Sequence, residues 1–472
     1  MQPSPSHILR PPDNALLPWW YSIPVYAVML GAIVYLSPSV SPLIVIGGLV
    51  VLFVTAYYPE IPLVAFVFIG VTKPWVDENI ALFQTIDYTV FLAVYLFALM
   101  FITRIRRRTD TLPSFANVLP VLFIFSLCLF IGVIYSSAPP YGFEKASRFF
   151  LFNILLFVAT IVIIKDKNDI IRILAICVGL SFVFATIMLY EGVTHFLSGN
   201  VTEIIRMTIL GANPISSARI FSLSFLILLV AAYYTENRRN KIILYLSSVY
   251  FLIALIVTNS RGPLLSTIAA VFIFALFLSD MKYKTIAMYF GLFFAAIISV
   301  FLFLPDFFTS RYEVLMAVDA AQQTVQGGEA DTVGSRWMMW SMAFSGAFTS
   351  VWNFIIGHGT GSFASLFPFE GIRWYPHNIF AEIFYELGII GLMIFLVHLG
   401  QISRYTRIIW EKTKRHSELR LITAIVTVII IGAFMASLVS GDLTDNRYLW
   451  FQFGLIVALG RILLHKARLD PH

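Results

Sequence analysis

Residues 374–400 read WYPHNIFAEIFYELGIIGLMIFLVHLG and join a polar segment to an apolar run that begins at Ile379. The run is long enough to cross a bilayer, because a spanning helix needs about 20 mostly apolar residues. His377 stands just before it, and the polar segment that precedes it, residues 305–378, carries three arginines: Arg311, Arg336 and Arg373. An imidazole and several guanidinium groups at the edge of a membrane domain indicate chemistry on a lipid-linked anion at the water boundary.

The composition of the whole chain agrees with a membrane protein. Hydrophobic residues make up 59% and charged residues 12% of the 472 residues, whereas a soluble domain averages about 25% charged residues. Residues 1–18 are polar and proline-rich and do not resemble a cleavable signal. Cys128 and Cys177 fall inside apolar runs, so the sequence predicts neither a disulfide framework nor a thiolate metal site.

The apolar runs predict an all-α polytopic membrane protein with 12–14 transmembrane helices. The pair 41–74 is either two spans or one re-entrant hairpin, which decides between the two counts, and either count places both termini on the same side. The predicted spans lie near residues 20–37, 41–58, 61–74, 87–103, 116–134, 149–164, 170–190, 218–234, 242–258, 263–279, 286–304, 379–400, 421–439 and 448–464.

The distribution of basic residues orients these spans. One face of the predicted bundle takes 22 of the 32 lysines and arginines, and the positive-inside rule makes that face the cytoplasm. The net charge of +6 is therefore mostly a topology signal, and no basic stripe with stacking aromatics predicts a nucleic-acid partner. The predicted organisation is a cytoplasmic tail 1–18, a helix bundle 19–304, a mostly helical periplasmic loop 305–378, three further spans within 379–464 and a cytoplasmic tail 465–472.

Ten basic residues remain for the outer face, where topology selects against them. A lone one is readily explained by lipid headgroup contact or snorkelling. Arg261 differs because it lies in the short turn NSRGP between two spans, and Arg219 lies at the top of a span just after GANP. Arginine grips phosphate oxygens in a bidentate manner and stays charged at any working pH. Several arginines at one membrane face therefore make a diphosphate site plausible.

The outer loop contains two further patterns. Arg336 precedes the run WMMWSMAF, whose spacing predicts an amphipathic helix on the bilayer surface. Residues 357–363 read GHGTGSF, and glycines at alternate positions can leave backbone N–H groups free to face an anion. This second pattern is weak, since the same spacing serves any tight loop.

The ordered set of these motifs resembles the O-antigen ligase and O-antigen polymerase superfamily, over roughly residues 130–455. The motifs are Tyr135 to Lys145, Ser260-Arg261-Gly262, Gly334-Ser335-Arg336 with Trp340, GHGTGSF, His377-Asn378, ELGIIGL from Glu386, and DLTDNRYLW from Asp442.

The resemblance implies a metal-independent glycosyltransferase without a cofactor, in the inner (cytoplasmic) membrane of a bacterium, with its active site on the periplasmic side. Such a protein moves a glycan from an undecaprenyl-diphosphate carrier to a hydroxyl acceptor in lipopolysaccharide or exopolysaccharide biosynthesis. Its implied partners are the carrier-linked glycan, an acceptor glycan or lipid A core, membrane lipids, and other polysaccharide assembly and export proteins. The positions that match the family's functional residues are Arg261, Arg336 and His377, with Arg219 and Arg373 matched less distinctively.

The chemistry of transfer suits these residue types. Preorganised cations stabilise the charge that develops on a diphosphate leaving group, and a histidine with an ordinary pKa of about 6.5 can take the proton of a sugar hydroxyl. The structural alternative for His377 is an imidazole that caps the following helix. A metal site is not favoured, because His195 and His358 are scattered and no HExxH motif occurs.

Other functions remain open at this point. A transporter or flippase of lipid-linked oligosaccharide would use the acidic pair Glu382 and Glu386, although no internal repeat is found. A non-enzymatic scaffold of an export machine has no positive feature. The sequence does not distinguish a ligase from a polymerase, because the motifs are shared.

Overall fold

The computed structural model describes residues 54–107, 118–197, 207–209, 211–279, 291, 333–367, 374–414 and 416–469. All regular structure in these ranges is helical. The α-helices are α1 Glu60–Val67, α2 Ile69–Asn79, α3 Ala81–Thr85, α4 Tyr88–Arg107, α5 Val118–Ile134, α6 Pro139–Arg148, α7 Leu155–Ile163, α8 Lys167–Leu197, α9 Pro214–Tyr234, α10 Arg238–Val257, α11 Arg261–Ile273, α12 Val333–Ala347, α13 Val351–Ile356, α14 Ile379–Lys412, α15 Ser417–Ser437 and α16 Arg447–Leu469.

Seven helical segments in the described ranges are long and apolar enough to cross a membrane. They are Pro139–Ile163, Lys167–Thr194, Pro214–Tyr234, Arg238–Val257, Arg261–Leu278, Ile379–Lys412 and Ser417–Ser437. The predicted all-α polytopic class is thereby confirmed. Four predicted spans, 61–74, 87–103, 116–134 and 448–464, are described wholly or almost wholly but are not among the seven, and two of them correspond to the shorter apolar helices Tyr88–Thr103 and Val118–Ile134. The predicted spans 20–37 and 286–304, and most of 41–58, lie outside the described residues, so the total of 12–14 stays a prediction.

The central helix of the bundle is α16. Residues 448–459 of this helix are all buried, as expected for a helix that is apolar all round. Trp450 packs edge-to-face on Phe149 at 5.0 Å between ring centroids, and Phe453 packs edge-to-face on the same indole at 5.8 Å. The core therefore surrounds the helix that begins inside the DLTDNRYLW motif, at Arg447.

Short connections divide the helix ends into two sets. We call the end that holds the turn 258–260 and the loop 438–446 the site end. The opposite end holds the turns 164–166, 235–237 and 413–416, where Lys167 pairs with Glu418 and Arg461 donates to the carbonyl of Ile164. The described part of the basic cluster assigned to the cytoplasm from the sequence accompanies this opposite end.

The helix that contains Lys145 is longer than the sequence indicated. The predicted span starts near residue 149, and Tyr135 to Lys145 resembles a loop, but the chain is helical from Pro139. Two prolines occupy the first positions of α6, where a missing N–H has no cost. A π-helical segment, Phe149–Ile154, then joins α6 to α7. Lys145 is consequently buried in the bundle, at 2% exposure.

Helix α14 is broken at Gly388, which has a φ of +61°. The break leaves carbonyl groups of α14 without helical N–H partners. The glycine-rich loop provides the missing donors: His358 N donates to Tyr385 O and Gly359 N donates to Glu386 O, both at 2.9 Å. Thr360 N donates to Gly132 O of α5 at 3.1 Å. The interpretation of GHGTGSF as an anion cradle is therefore wrong for these N–H groups, because they bond to protein carbonyls.

Candidate active site

The loop 438–446, between α15 and α16, is the scaffold of the site. Asp442 organises it: its carboxylate accepts from Asp445 N at 2.6 Å and from Thr444 Oγ1 at 2.9 Å, and its carbonyl accepts from Asn446 Nδ2 at 2.6 Å. Short side-chain-to-backbone bonds of this kind are how aspartate and asparagine stabilise turns. Gly441 takes a φ of +77°. Residues 440–444 and 446 of the loop are buried, and its own polar groups help to fix its conformation.

Two of the sequence-predicted arginines donate to this loop from different helices. Arg219 of α9 donates to Ser440 O at 2.8 Å, to Asn446 Oδ1 at 3.1 Å and to Asp445 O at 3.2 Å. Arg336 of α12 donates to Val439 O at 3.0 Å. On α12, position 336 shares a face with the buried residues 339 and 343. The amphipathic pattern of this helix therefore also directs its arginine inward.

Arg261 enters at the same place from a third helix. It is the first residue of α11, and a Cβ on its neighbour Gly262 would lie 3.3 Å from Ser440 Cβ and 3.5 Å from Val439 Cγ2. The short turn expected from the sequence is present, since α10 ends at Val257. Arg373 and Arg311 lie outside the described residues. Three of the four predicted arginines thus begin from elements packed on the loop 438–446.

The groups that hold Arg219 are neutral. Backbone carbonyls and an amide oxygen fix the direction of a guanidinium without cancelling its charge, whereas a carboxylate would do both. The Nε of Arg219 is buried and has no hydrogen-bond partner within the described ranges. A cation prepared in this way is suited to a ligand that brings its own negative charge.

His377 has a strained backbone. Its φ is +56°, in the left-handed region that non-glycine residues seldom adopt and that recurs at functional sites. The predicted alternative, that its imidazole caps the next helix, is wrong. Asn378 is the cap of α14, because its Oδ1 accepts from Phe380 N at 2.9 Å and from Ala381 N at 3.1 Å. The His377 imidazole is therefore not needed to start the helix.

The imidazole of His377 is held in its neutral form. Burial lowers the pKa of His377 from its ordinary value, and the positive charges of Arg336 and Arg219 lower the pKa further, to about 3. The Nδ1 atom is buried and has no hydrogen-bond partner among the described residues. The ring lies 4.3 Å from that of Tyr375. The structure thus brings together Arg219, Arg336 and an unprotonated His377.

A buried ion cluster lies behind the site. Lys145 Nζ is 2.5 Å from Glu382 Oε1 and 2.7 Å from Glu386 Oε1. These two glutamates are the acidic pair that a transporter would use. Here both carboxylates are bound to a lysine inside the bundle, so the feature that favoured transport has a structural explanation.

The other histidine predicted for the outer face, His358, has a packing role. Its Nε2 lies 2.9 Å from Gly346 O and its ring stacks on Tyr385. Within the ranges that the structure describes, no three His, Cys, Asp or Glu residues group as metal ligands would. The side chain of His195 is outside those ranges, and metal independence stays a prediction.

Sequence reasoning missed the role of the loop 438–446. DLTDNRYLW was noted only as part of a motif set, although two aspartates and an asparagine within five residues indicate a side-chain-stabilised turn. It also missed Lys145 as a partner of the acidic pair. No sequence pattern links residues more than 200 positions apart.

The described helices and the site they position belong to a multi-pass membrane protein. The O-Antigen ligase family matches residues 246–396, which is 151 of the 472 residues. The match confirms the resemblance to the O-antigen ligase and polymerase superfamily and supports glycan transfer of that general kind. It includes Arg261, Arg336 and His377, while Arg219 and the loop 438–446 lie outside it. No curated protein matches the chain.

Proposed function

We propose that this protein is a membrane glycosyltransferase that moves a glycan from an undecaprenyl-diphosphate carrier to a hydroxyl acceptor at the periplasmic face. The observation that carries the proposal is the pair Arg219 and Arg336, held by carbonyls of one loop beside a neutral His377. The family match supports the general reaction.

The arginines bind the diphosphate and stabilise it as it leaves. Guanidinium groups present two parallel donors to phosphate oxygens, and the groups that accept directly from Arg219 are neutral. Charge on the diphosphate grows as the bond between sugar C1 and the phosphate oxygen breaks. Donors already aimed at that charge lower the barrier, and removal of one comparable donor costs on the order of 100-fold or more in rate.

His377 is the proposed general base. The acceptor hydroxyl oxygen forms a bond to C1 while its proton passes to the imidazole, and the electron pair of the broken C1–O bond leaves with the lipid diphosphate. A depressed pKa keeps the imidazole unprotonated at neutral pH. Diphosphate binding offsets the two arginine charges and raises the basicity of the imidazole when the acceptor is present.

The expected setting is the bacterial inner membrane, with the site end facing the periplasm. We expect no requirement for a divalent metal, so EDTA should leave transfer unchanged. The acceptor is a lipid A core for a ligase, or another carrier-linked repeat unit for a polymerase. Offering each acceptor to the purified protein distinguishes the two.

The proposal is tested with purified protein in liposomes that contain radiolabelled carrier-linked glycan. We expect label to move to the acceptor and free lipid diphosphate to form in equal amount. Movement of intact carrier-linked glycan across the bilayer without cleavage would replace the enzyme with a transporter. An empty-vector membrane preparation and the His377→Ala protein are the controls.

A further inference from the structure

Lys145 connects the candidate site to the middle of the bundle. Its ammonium group contacts both Glu382 and Glu386, and all three residues are at most 3% exposed. Glu382 and Glu386 lie one turn apart on α14, before its break at Gly388, whereas Lys145 comes from α6. One lysine thus ties two helices together through two carboxylates.

Glu382 also touches the scaffold loop. Its second oxygen, Oε2, accepts from the backbone N–H of Leu443 at 3.0 Å. On the next turn of α6, Arg148 Nη2 lies 3.5 Å from Asp445 Oδ1 of the same loop. Helix α6 therefore acts on the loop 438–446 at two points, once through Glu382 and once directly.

Glu386 acts elsewhere. Both of its carboxylate oxygens lie 2.7 Å from Lys145 Nζ, and the carboxylate accepts from the backbone N–H of Gly361. It belongs to the packing of the glycine-rich loop and forms no hydrogen bond or ion pair with the loop 438–446 among the described residues. The two glutamates are chemically alike and equally buried, but only one reaches the scaffold of the arginines.

Stability alone does not explain such a cluster. Replacing a buried ion pair by well-packed apolar residues is often neutral or stabilising, because desolvation offsets the attraction. Here two buried carboxylates share one ammonium group, so the negative charge is only partly neutralised and the desolvation cost is larger than for a single ion pair. What the cluster does supply is a fixed position for Leu443 N, and therefore for the carbonyls of Val439 and Ser440 that aim Arg336 and Arg219.

We propose that Lys145 and Glu382 are positioning residues for the lipid-diphosphate site: through Leu443 they hold the loop that orients Arg219 and Arg336. This inference rests on the proposed function. A misplacement of about 1 Å in groups that meet the reacting phosphate can cost roughly 100-fold in rate. The pair therefore acts on affinity and rate without touching the substrate.

The experiment compares Glu382→Gln with Glu386→Gln. A glutamine replaces one of the two carboxylate oxygens by an NH2 group, so at position 382 either the atom facing Lys145 or the atom facing Leu443 N becomes a donor. At position 386 a glutamine also gives up a contact, with Lys145 or with Gly361 N, but neither of these contacts reaches the loop 438–446, and the lysine keeps Glu382. We expect Glu382→Gln to weaken binding of undecaprenyl diphosphate and to lower kcat/KM by roughly 10- to 100-fold, and Glu386→Gln to stay within a few-fold of wild type.

Two further readouts separate positioning from structure. The unfolding midpoints of the two variants in detergent should be alike, although their affinities differ. In an Arg219→Lys background, Glu382→Gln should cause a smaller loss than it causes in the wild type, because part of its effect passes through the Arg219 guanidinium, whereas independent effects would add. Equal losses of affinity and stability in both glutamine variants would overturn the inference, and so would normal affinity in Glu382→Gln.

The test also separates this inference from the proposed function. If wild-type protein binds undecaprenyl diphosphate and Glu382→Gln binds it equally well, only the positioning role is wrong. If wild-type protein does not bind the lipid diphosphate, the proposed function is wrong and the inference falls with it.

Discussion

At the scale of single residues, the site depends most on the planar geometry of its arginine guanidinium groups. Arg336 donates to Val439 O with one nitrogen, and its planar guanidinium carries further N–H groups in a fixed geometry. A lysine at this position has one nitrogen, which cannot reproduce the fork. We expect Arg336→Lys and Arg261→Lys to raise KM and to lower kcat on the order of 100-fold, although charge is retained.

The measurement is transfer rate against carrier concentration, at matched expression. Arg404→Lys is the control, because Arg404 is exposed near the opposite end of α14. Near wild-type transfer by both site variants would make these arginines topological or lipid contacts.

The pH dependence of His377 follows from its surroundings. A base works above its pKa, and the pKa of about 3 in the unliganded protein places the acid limb of kcat/KM below the practical range. Bound diphosphate offsets the charges of Arg336 and Arg219, so the pKa rises in the complex. We therefore expect kcat to fall at a higher pH than kcat/KM, since these two parameters report the complex and the free enzyme.

Removing the imidazole should separate binding from turnover. We expect His377→Ala to bind carrier-linked glycan nearly as well as wild type, to turn over about 100- to 10,000-fold more slowly, and to lose the acid limb of kcat. The check is binding and transfer measured on one preparation across pH. A variant that binds poorly but turns over normally at saturation would assign His377 to substrate docking.

From the sequence we could select the candidate site residues, but we could not predict which groups of the protein hold their side chains in place. Arg219, Arg261, Arg336 and His377 could be selected because basic residues on an outer face need a reason. Their scaffold could not, because Val439 and Ser440 contribute only backbone carbonyls, which carry no side-chain signal. The roles of all four residues stay predictions until the variants are measured.

At the scale of elements, the break in α14 requires a glycine at position 388. Gly388 has a φ of +61°, and a Cβ there would lie 2.5 Å from both Ile355 C and Ile355 O. We expect Gly388→Ala to destabilise the protein by at least 1–3 kcal/mol, the order of cost for one such backbone conformation. Thermal unfolding in detergent, followed by retention of monodisperse protein, measures this.

Gly400→Ala is the matched control on the same helix. No atom lies within 4 Å of a Cβ at position 400, and alanine in a helix interior is favoured over glycine by roughly 0.5–1 kcal/mol. Its unfolding midpoint should be unchanged or higher. If Gly388→Ala were equally stable, the break would not be required.

Helix α6 illustrates an element that the sequence predicted incompletely. The sequence of α6 contains the charged residues Glu144, Lys145 and Arg148, and its composition is that of a loop. Tertiary ion pairs reverse that expectation, because Glu382 and Glu386 satisfy the buried lysine from a helix that is distant in sequence. Apolar run length predicted the neighbouring spans well, since for them hydropathy alone determines burial.

At the scale of the whole molecule, the predicted orientation can be tested from the two helix-end sets. In a Cys128→Ala, Cys177→Ala background, we expect Ser345→Cys near the site end to react with a membrane-impermeant maleimide added outside spheroplasts. Lys414→Cys at the opposite end should react only after permeabilisation. Both positions are exposed. Labelling of both from one side would rule out the topology.

The fold class was predictable because it depends on sums over many residues. A chain with 59% hydrophobic and 12% charged residues has few alternatives to a helical bundle in a membrane. The arrangement of helices around α16 was not predictable, because packing partners are set by side-chain shape along helices that are uniformly apolar. Trp450, for example, meets Phe149 across 301 positions of sequence.

The reciprocal bonding of α14 and the glycine-rich loop has an evolutionary consequence. The N–H groups of His358 and Gly359 donate to the carbonyls of Tyr385 and Glu386. An insertion or deletion in one segment alone would put these donors and acceptors out of register. We expect the two segments to be inherited as a unit: insertions should accumulate elsewhere in descendants of this chain, and a grafted domain boundary between residues 357 and 388 should not yield a folded chimera.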